Sequence, residues 1–468
     1  MTIIIVIMLI TGYLLISTGH LTGVNKAAIA MFIGTVGWVV YICWGADFVM
    51  SQHPHEYAEF LSGHQPSSDT VKYFIYDEVF LKYVGHAASI VMFLLATMTI
   101  VEILNNNGCF DFVVEWIRTS NSKRLLWTIT LTTFILSANL DNLTTTTMML
   151  VIMHNIVRSR RQRMLIGAAI VLAATCGGCF TVIGDPTGLL LWGNGAVTAT
   201  NFSKYLALPA AISWIVPTVL INRVLPDRLD TEWTAPPYRG NDTNLNRWQR
   251  LVMLFVGIGG LWFIPTFHNI TKLSPFLGAL CVLSVLWVVN EAFNRKLNDA
   301  DQMAQQRIPR AIQYGTIQQM LFVMGIMMGM GVMSETGVLG DISAWIDYNI
   351  HNIWIVGILS GILSAVVDTF TIAITDISLY SVVKADTLGS WADNSYILHF
   401  AQNGAYWKVI AYSTAVGGCL LSVGSASGLA FMKMEHVRLG WYLKEITPKV
   451  LAGFILGLIV LWAEISLV

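Results

Sequence analysis

The chain has 468 residues, 55% of them hydrophobic and only 12% charged, with a mean hydropathy of +0.63. A soluble domain carries about 25% charged residues, so charge cannot cover this chain; apolar runs of roughly 20 residues, each able to cross a hydrocarbon core of about 30 Å, mark a multi-spanning membrane protein. With 27 Lys and Arg against 28 Asp and Glu there is no basic field to hold nucleic acid, and six scattered Cys form no disulfide framework.

The first ten residues, MTIIIVIMLI, lack a basic n-region and precede no clear small-residue cleavage site. The segment 2–18 therefore reads as a first span rather than a removed signal peptide. A second span covers 26–44. The stretch 45–85, with His53, His55, His64, Glu56, Glu59 and Asp69, reads as a solvated external loop, metal binding by its histidines being the lesser alternative. The next span, 86–104, opens on His86, which reads as an ordinary interfacial histidine. It closes near Glu102, for which a proton-entry group and an interfacial carboxylate are equal readings.

The apolar stretch 125–157 is interrupted by SANLDNLTTTT at 137–147. A helix crossing lipid does not place an Asp and a run of Thr at its centre. A re-entrant helical hairpin does, because its tip can line a protein-enclosed cavity. Basic residues flank it: Arg118, Lys123 and Arg124 before, Arg158, Arg160, Arg161 and Arg163 after. Both ends should therefore be cytoplasmic. Further spans follow at 164–194, 204–222, 250–266, 273–290 and 314–333. A second hairpin, 352–384, is interrupted by SAVVDTFTIAITD at 364–376 and flanked by Asp341, Asp347, Asp386 and Asp393, which places its ends outside. Spans at 406–432 and 449–467 complete ten crossings, with both termini outside and the hairpins entering from opposite faces.

The halves can be superimposed. Phe93, Gly108 and Trp116-Ile117 match Phe322, Gly337 and Trp345-Ile346 at an offset of 229. Ser137-Ala138, Asp141 and Thr144 match Ser364-Ala365, Asp368 and Thr371 at 227, and Gly177-Gly178-Cys179, Gly184 and Gly188 match Gly417-Gly418-Cys419, Gly424 and Gly428 at 240. Trp38-Val-Val likewise matches Trp287-Val-Val. The fold class is thus an all-α polytopic membrane protein: an inverted-topology repeat with two re-entrant hairpins and two broken helices. Residues 1–222 form the first repeat (inner hairpin 125–157, broken helix 164–194), 223–249 a cytoplasmic linker, and 250–468 the second (outer hairpin 352–384, broken helix 406–432). Secondary transporters use such repeats, with the binding site near the midplane where they meet. Helix breaks are expected at Gly184, Pro186 and Gly188, and at Gly424 and Gly428.

Asp141, Asp185 and Asp368 fall at these interruptions, and a carboxylate inside a membrane is a functional candidate by default. Each could instead cap a half-helix, and the roles are compatible because one oxygen can cap while the other ligates. Asn142, Thr144, Thr145, Thr187, Thr369, Thr371, Ser422, Ser425 and Ser427 add neutral oxygens, which suit Na⁺ and other hard cations. Consecutive Thr at 144–147 cannot all face one site. With no Lys or Arg in these segments, the acids should repel a carboxylate substrate and attract a cation, and Na⁺ and H⁺ competing for them would give exchange without a second site. Asp376, eight residues beyond Asp368, is with Glu102 a candidate for the proton pathway.

At Ser137-Ala-Asn-Leu-Asp-Asn142, Gly184-Asp-Pro-Thr187, Ser364…Asp368 and the paired glycines, the chain resembles the NhaD-type Na⁺/H⁺ antiporters of the ion transporter superfamily. The resemblance covers nearly the whole chain. It implies a scaffold and a transport domain in each protomer, a homodimer in a cell (inner, cytoplasmic) membrane, elevator-like alternating access, and Na⁺ and H⁺ as cargo with Li⁺ a further candidate. It implies no cofactor beyond the transported ions. Dicarboxylate symporters of the same superfamily are similar in architecture but carry Ser-Asn-Thr at both tips, where this chain reads Ser-Ala-Asn-Leu-Asp and Ser-Ala-Val-Val-Asp. A Na⁺-coupled carboxylate or other anion symporter is thus the alternative. Hydrolase chemistry has no support: neither GxSxG nor HExxH occurs, and Cys176-Gly-Gly-Cys179 has no second pair near it. A re-entrant inverted repeat suits alternating access better than an open pore.

Overall fold

The computed structural model describes residues 2–63, 65–117, 119, 121–228, 245–298, 314–383 and 396–467. His64, Arg118, Asp386 and Asp393, which entered the readings above, lie outside the described residues. The principal helices are α1 (Thr2–Ser17), α2 (Lys26–Trp44), α3 (Ser68–Asn106), α4 (Asp111–Ile117), α5 (Ser122–Ser137), α6 (Asn142–Ile156), α7 (Arg160–Cys179), α8 (Pro186–Gly193), α9 (Ala199–Val224), α10 (Arg247–Thr271) and α11 (Pro275–Asn298). After residue 313 follow α12 (Tyr314–Glu335), α13 (Val338–Asn349), α14 (Ile353–Val366), α15 (Thr369–Leu379), α16 (Ala405–Gly417), α17 (Ala426–Met434) and α18 (Thr447–Ser466). Among the described residues, eight of these (α2, α3, α7, α9, α10, α11, α12 and α18) are long and apolar enough to cross a membrane. The chain is an all-α polytopic membrane protein.

Local chemistry sets the boundaries. Asn side chains cap α2, α5 and α14: Asn25 accepts from Ala27 N, Asn121 from Lys123 and Arg124 N, and Asn352 from Trp354 N. Each meets a backbone donor with no partner inside its helix. The two interrupted stretches become pairs of short helices, α5–α6 and α14–α15. The 164–194 run becomes α7 and α8 with a break at 180–185, and the 406–432 run becomes α16 and α17 with a break at 418–425.

Several boundaries differ from expectation. The stretch 45–85 is largely helical (Ala46–Gln52, Pro54–Leu61, then α3 from Ser68), so the third span begins well before His86. The side chain of Ser67 starts that helix by accepting from Thr70 N at 3.1 Å. Charged residues there (Asp69, Lys72, Asp77, Glu78 and Lys82) mask the apolar stripe of Phe74, Ile75 and Val79 that the fold buries. Gly188 and Gly428 do not break helices but lie inside α8 and α17, where their missing side chains admit the backbone of Thr181–Val182 and of Ser422.

Two groups of helices emerge from the packing. In one, α2 lies against α12 and α1, while α3 packs on α12 and α11. Close approach at the α2–α12 crossing depends on glycine: a Cβ on Gly34 would sit 2.7 Å from Gly325 O, the small-residue packing usual between helices in lipid. In the other group both hairpins and both broken helices pack together, α5 and α6 on α7, α14 and α15 on α16, with α9 and α18 flanking. Helices α7 and α16 meet in its middle, and among the described residues α15 packs on α12 and α8 on α3.

The matched residues make matched contacts. Ser137 Oγ donates to Ala174 O at 2.6 Å, and Ser364 Oγ donates to Thr414 O at 2.6 Å. Gly184 and Gly424 press on the carbonyls of Ser137 and Ser364, and Gly177 and Gly417 press on those of Phe134 and Gly361. Gly108 (φ 66°) and Gly337 (φ 76°) both turn through the left-handed region. Each leads into a short helix carrying an exposed tryptophan, Trp116 or Trp345. The Trp38–Trp287 match has no such echo: Trp38 is buried and donates to Met328 O, whereas Trp287 is exposed and donates to Glu291.

Candidate functional site

All three carboxylates sit at helix starts, and each divides its oxygens between two tasks. Asp141 caps α6, its Oδ2 accepting from Thr144 N at 3.0 Å and Thr144 Oγ1 at 3.3 Å. Its Oδ1 is buried without a hydrogen-bond partner. Asp185 caps α8 by accepting from Thr187 N at 3.0 Å through Oδ2, while Oδ1 accepts from Asn142 Nδ2 at 2.8 Å. Asp368 caps α15 through Oδ2, with Thr371 N at 3.3 Å and Thr371 Oγ1 at 3.4 Å. All three are buried. Helix N-termini carry a partial positive charge, which lowers the cost of holding an anion at these positions.

Asn142 thereby joins Asp141 and Asp185 into one group at the tip of the first hairpin and the first helix break. The neutral oxygens divide. Thr145, Thr146 and Ser427 bury hydroxyls with no hydrogen-bond partner, so they are available to a ligand. Ser425 is used as the cap of α17, accepting from Gly428 N at 3.0 Å. Ser422 turns its hydroxyl onto Gly428 O at 3.2 Å. Thr369 joins its tip to the second break through its backbone, its N donating to Gly424 O at 2.9 Å, while its methyl faces Gly418. Thr187 contributes its N–H to Asp185.

Asp376 lies on α15, buried, with Oδ2 unpartnered. Tyr406 OH donates to its backbone carbonyl at 2.8 Å. Glu102 is half-buried on α3. A cavity of about 200 Å³ lies between α3, α8, α12 and α15, lined among others by Tyr83, His86, Asn194, Ser334 and Ser378. It runs beside the two helices that Asp185 and Asp368 start, and the half-buried His86 lines it.

One residue of this region was invisible to the sequence reading. Lys26 Nζ lies 3.3 Å from Asp368 Oδ1. Lys26 is the first residue of its span, and nothing in the local pattern links it to a residue 342 positions away. The interrupted segments themselves hold no Lys or Arg, and the cation reaches Asp368 from a different span. Beside it, Tyr13 OH and Thr375 Oγ1 share a hydrogen bond of 3.0 Å.

Other buried acids are held by several donors. Glu335 accepts from Tyr83 OH at 2.8 Å and Tyr41 OH at 3.3 Å, with His53 at 2.8 Å. His53 thus bridges two acids, its other ring nitrogen 2.9 Å from Glu56. Among the described residues no group of three or more His, Cys, Asp or Glu side chains is arranged to hold a metal ion. Glu435 is paired with Arg163 and His154, each at 2.8 Å, which joins α6 and α7 to the end of α17.

Comparison with known proteins bears on this arrangement. A family described as citrate transporter matches residues 1–392. Among curated relatives, sodium/proton antiporter 1 of Arabidopsis thaliana is 32% identical over 383 residues, which are 80% of this chain and 61% of the relative. Sodium/proton antiporter 2 of the same plant is 32% identical over 377 residues, 80% of this chain and 84% of the relative. The Na(+)/H(+) antiporter NhaD of Vibrio cholerae is 26% identical over 400 residues, 80% and 77% of the two chains. This chain therefore spans less than two thirds of the first of these relatives and most of the other two.

Proposed function

Because the chain belongs to the citrate transporter family, we propose that it is a secondary active transporter that exchanges Na⁺ for H⁺ across its membrane by alternating access. The observation that carries this reading is the division of labour at each carboxylate: one oxygen is fixed by a helix N-terminus and the other is left for a second partner. Capping fixes the carboxyl group, so little ordering remains when a cation arrives. At Asp141 the second oxygen is buried without a protein partner, which is costly unless a cation or a proton meets it. Asp141, Asn142 and Asp185, with the hydroxyls of Thr144 and Thr145, offer the oxygen-rich surroundings that suit Na⁺. Na⁺ and H⁺ cannot occupy one carboxylate oxygen together, so each must leave for the other to bind. The names of the relatives, sodium/proton antiporters in a plant and in Vibrio cholerae, agree with this reading.

Further parts of the proposal concern organisation. The hairpins enter from opposite faces, the termini lie outside, the bilayer is a cell membrane, and two copies associate. Li⁺ is a further candidate cargo. No cofactor is proposed beyond the transported ions. Asp376 and Glu102 are proposed to relay protons, Asp376 being the better placed because it shares α15 with Asp368.

A Na⁺-coupled carboxylate symporter is the second reading, and the description of the family favours keeping it. A carboxylate substrate needs a cationic or polar cradle. Among the described residues at the two tips the cation present is Lys26, already engaged by Asp368. Proteoliposomes holding the purified protein and a pH dye separate the two readings. Exchange predicts a Na⁺-induced pH change without any organic anion. Symport predicts none until a di- or tricarboxylate is added.

A further inference from the structure

The two halves of the site repeat in backbone but not in charge. At the first hairpin and break stand two carboxylates, Asp141 and Asp185, joined by Asn142. At the second stand Asp368 and, in the place of Asp185, Ser425. Among the described residues an ammonium group stands at the second half alone, 3.3 Å from the oxygen of Asp368 that does not cap. The side chains of Lys26 and Asp368 are 19% and 7% exposed.

The pair crosses between the two groups of helices. Lys26 begins α2, which packs on α1 and α12, whereas Asp368 is the tip of a hairpin that packs on α16. The same corner grips α15 a second time, about two turns further on, where Tyr13 of α1 bonds Thr375. A lysine ammonium is a compact unit charge on a flexible stem, the same charge as Na⁺. It therefore stands where a second cation would stand, and is tethered to the other group of helices.

We infer that Lys26 is a tethered counter-ion that competes with transported Na⁺ for Asp368, and that the Lys26–Asp368 pair holds the unloaded hairpin against α2 so that it does not relocate empty. This rests on the exchange reading above. Separating the pair while Asp368 holds no cation leaves the buried Asp368 carboxylate without a counter-charge, which is unfavourable. Once Na⁺ occupies Asp368 the carboxylate is balanced. Lys26, at the end of its span, can then extend its stem toward water, and the hairpin is released. Exchange without slippage follows: the loaded carrier moves and the empty one is held. Asp376 and Asp185 are the next acids, and neither has a lysine or arginine hydrogen-bonded to it among the described residues.

The test uses the full chain and the variants K26Q, K26R, D368N and K26Q/D368N. In detergent, half-maximal stabilisation by Na⁺ should occur at about tenfold lower concentration in K26Q than in the unaltered protein, equivalent to 1.4 kcal/mol. In proteoliposomes without a pH gradient, K26Q should release ²²Na⁺ with no counter-movement of protons, whereas K26R keeps coupled exchange. Unaltered Na⁺ dependence together with tight coupling in K26Q would overturn the inference. Should K26Q fail to fold, K26Q/D368N, which buries no lone charge, must fold; if it does not, the inference is wrong. Melting of all four variants without Na⁺ completes a double-mutant cycle independent of transport. If the unaltered protein moves no protons in response to Na⁺, the exchange reading fails, and a strictly additive cycle would then refute the pair as well.

Discussion

Asn142 Nδ2 donates across 2.8 Å to Oδ1 of Asp185, which ties the tip of the first hairpin to the second half of the first broken helix. The two residues start different helices, α6 and α8, so a hydrogen bond between side chains sets the spacing of two helix N-termini and of the carboxylates that cap them.

Replacing Asn142 by Ala should loosen that spacing and remove a donor to a charged oxygen. Such bonds contribute about 1.5–3 kcal/mol. The Na⁺ concentration for half-maximal exchange is expected to rise at least about tenfold, read as dye response in proteoliposomes. An unchanged value would mean that Asp185 is placed by its cap alone.

The substitutions Asp141→Asn, Asp185→Asn and Asp368→Asn test ligand against cap. Asn caps a helix about as well as Asp, so D141N and D185N should melt near the unaltered protein, while D368N should fold but lose the stabilisation of its pair with Lys26. Exchange should nevertheless fall to less than about one hundredth, a loss of roughly 2.7 kcal/mol. If two of the three kept normal transport, the carboxylates would be structural caps and no more.

Competition between Na⁺ and H⁺ has a definite sign. A carboxylate must lose its proton before it takes Na⁺, so lower pH weakens the apparent Na⁺ affinity, by up to about tenfold per pH unit where the protonated form dominates. Transport should be strongest at alkaline pH. Half-maximal Na⁺ measured from about pH 6.5 to about pH 9.5 that stayed flat would rule out a shared site.

The glycines at the matched contacts should not tolerate a methyl group. A Cβ at Gly184 would lie 2.6 Å from Ser137 O, and one at Gly424 would collide with Ser364 O. Each Gly→Ala change should cost about 1–3 kcal/mol or more in thermal stability, because the obstacle is backbone. Gly440, with nothing within 4 Å of its Cβ position, is the control, and its change to Ala should be neutral or mildly stabilising.

Orientation can be read by labelling. In a background lacking the exposed Cys43 and Cys281, Ser159→Cys should react with an impermeant thiol reagent only from the cytoplasmic side, and Tyr348→Cys only from outside. Reaction of both from one side would refute opposite entry of the hairpins.

Much of the fold was legible because long apolar runs leave a membrane segment few alternatives. The run 26–44 and the helix Lys26–Trp44 coincide. The interruptions at Asp141, Asp185 and Asp368 were equally visible, since an acid with Thr, Gly or Pro beside it cannot continue a lipid-facing helix. The helix at 68–85 was not legible, because its five charged residues break up the hydropathy signal of a segment that buries only one face, at Phe74, Ile75 and Val79. Nor was the contact of the half-buried His53 with Glu335, 282 residues away.

By itself the sequence determined the class, the position of most apolar runs, and which acids stand at their interruptions. Hydropathy and backbone chemistry act locally, within about 20 residues, and are written in the order of the chain. Which oxygen of each acid is committed to a cap, that Asn142 reaches Asp185, and that Lys26 rather than a solvent ion faces Asp368 were decided only by the tertiary structure. These depend on the distance between side chains hundreds of residues apart, which packing sets and no local pattern encodes.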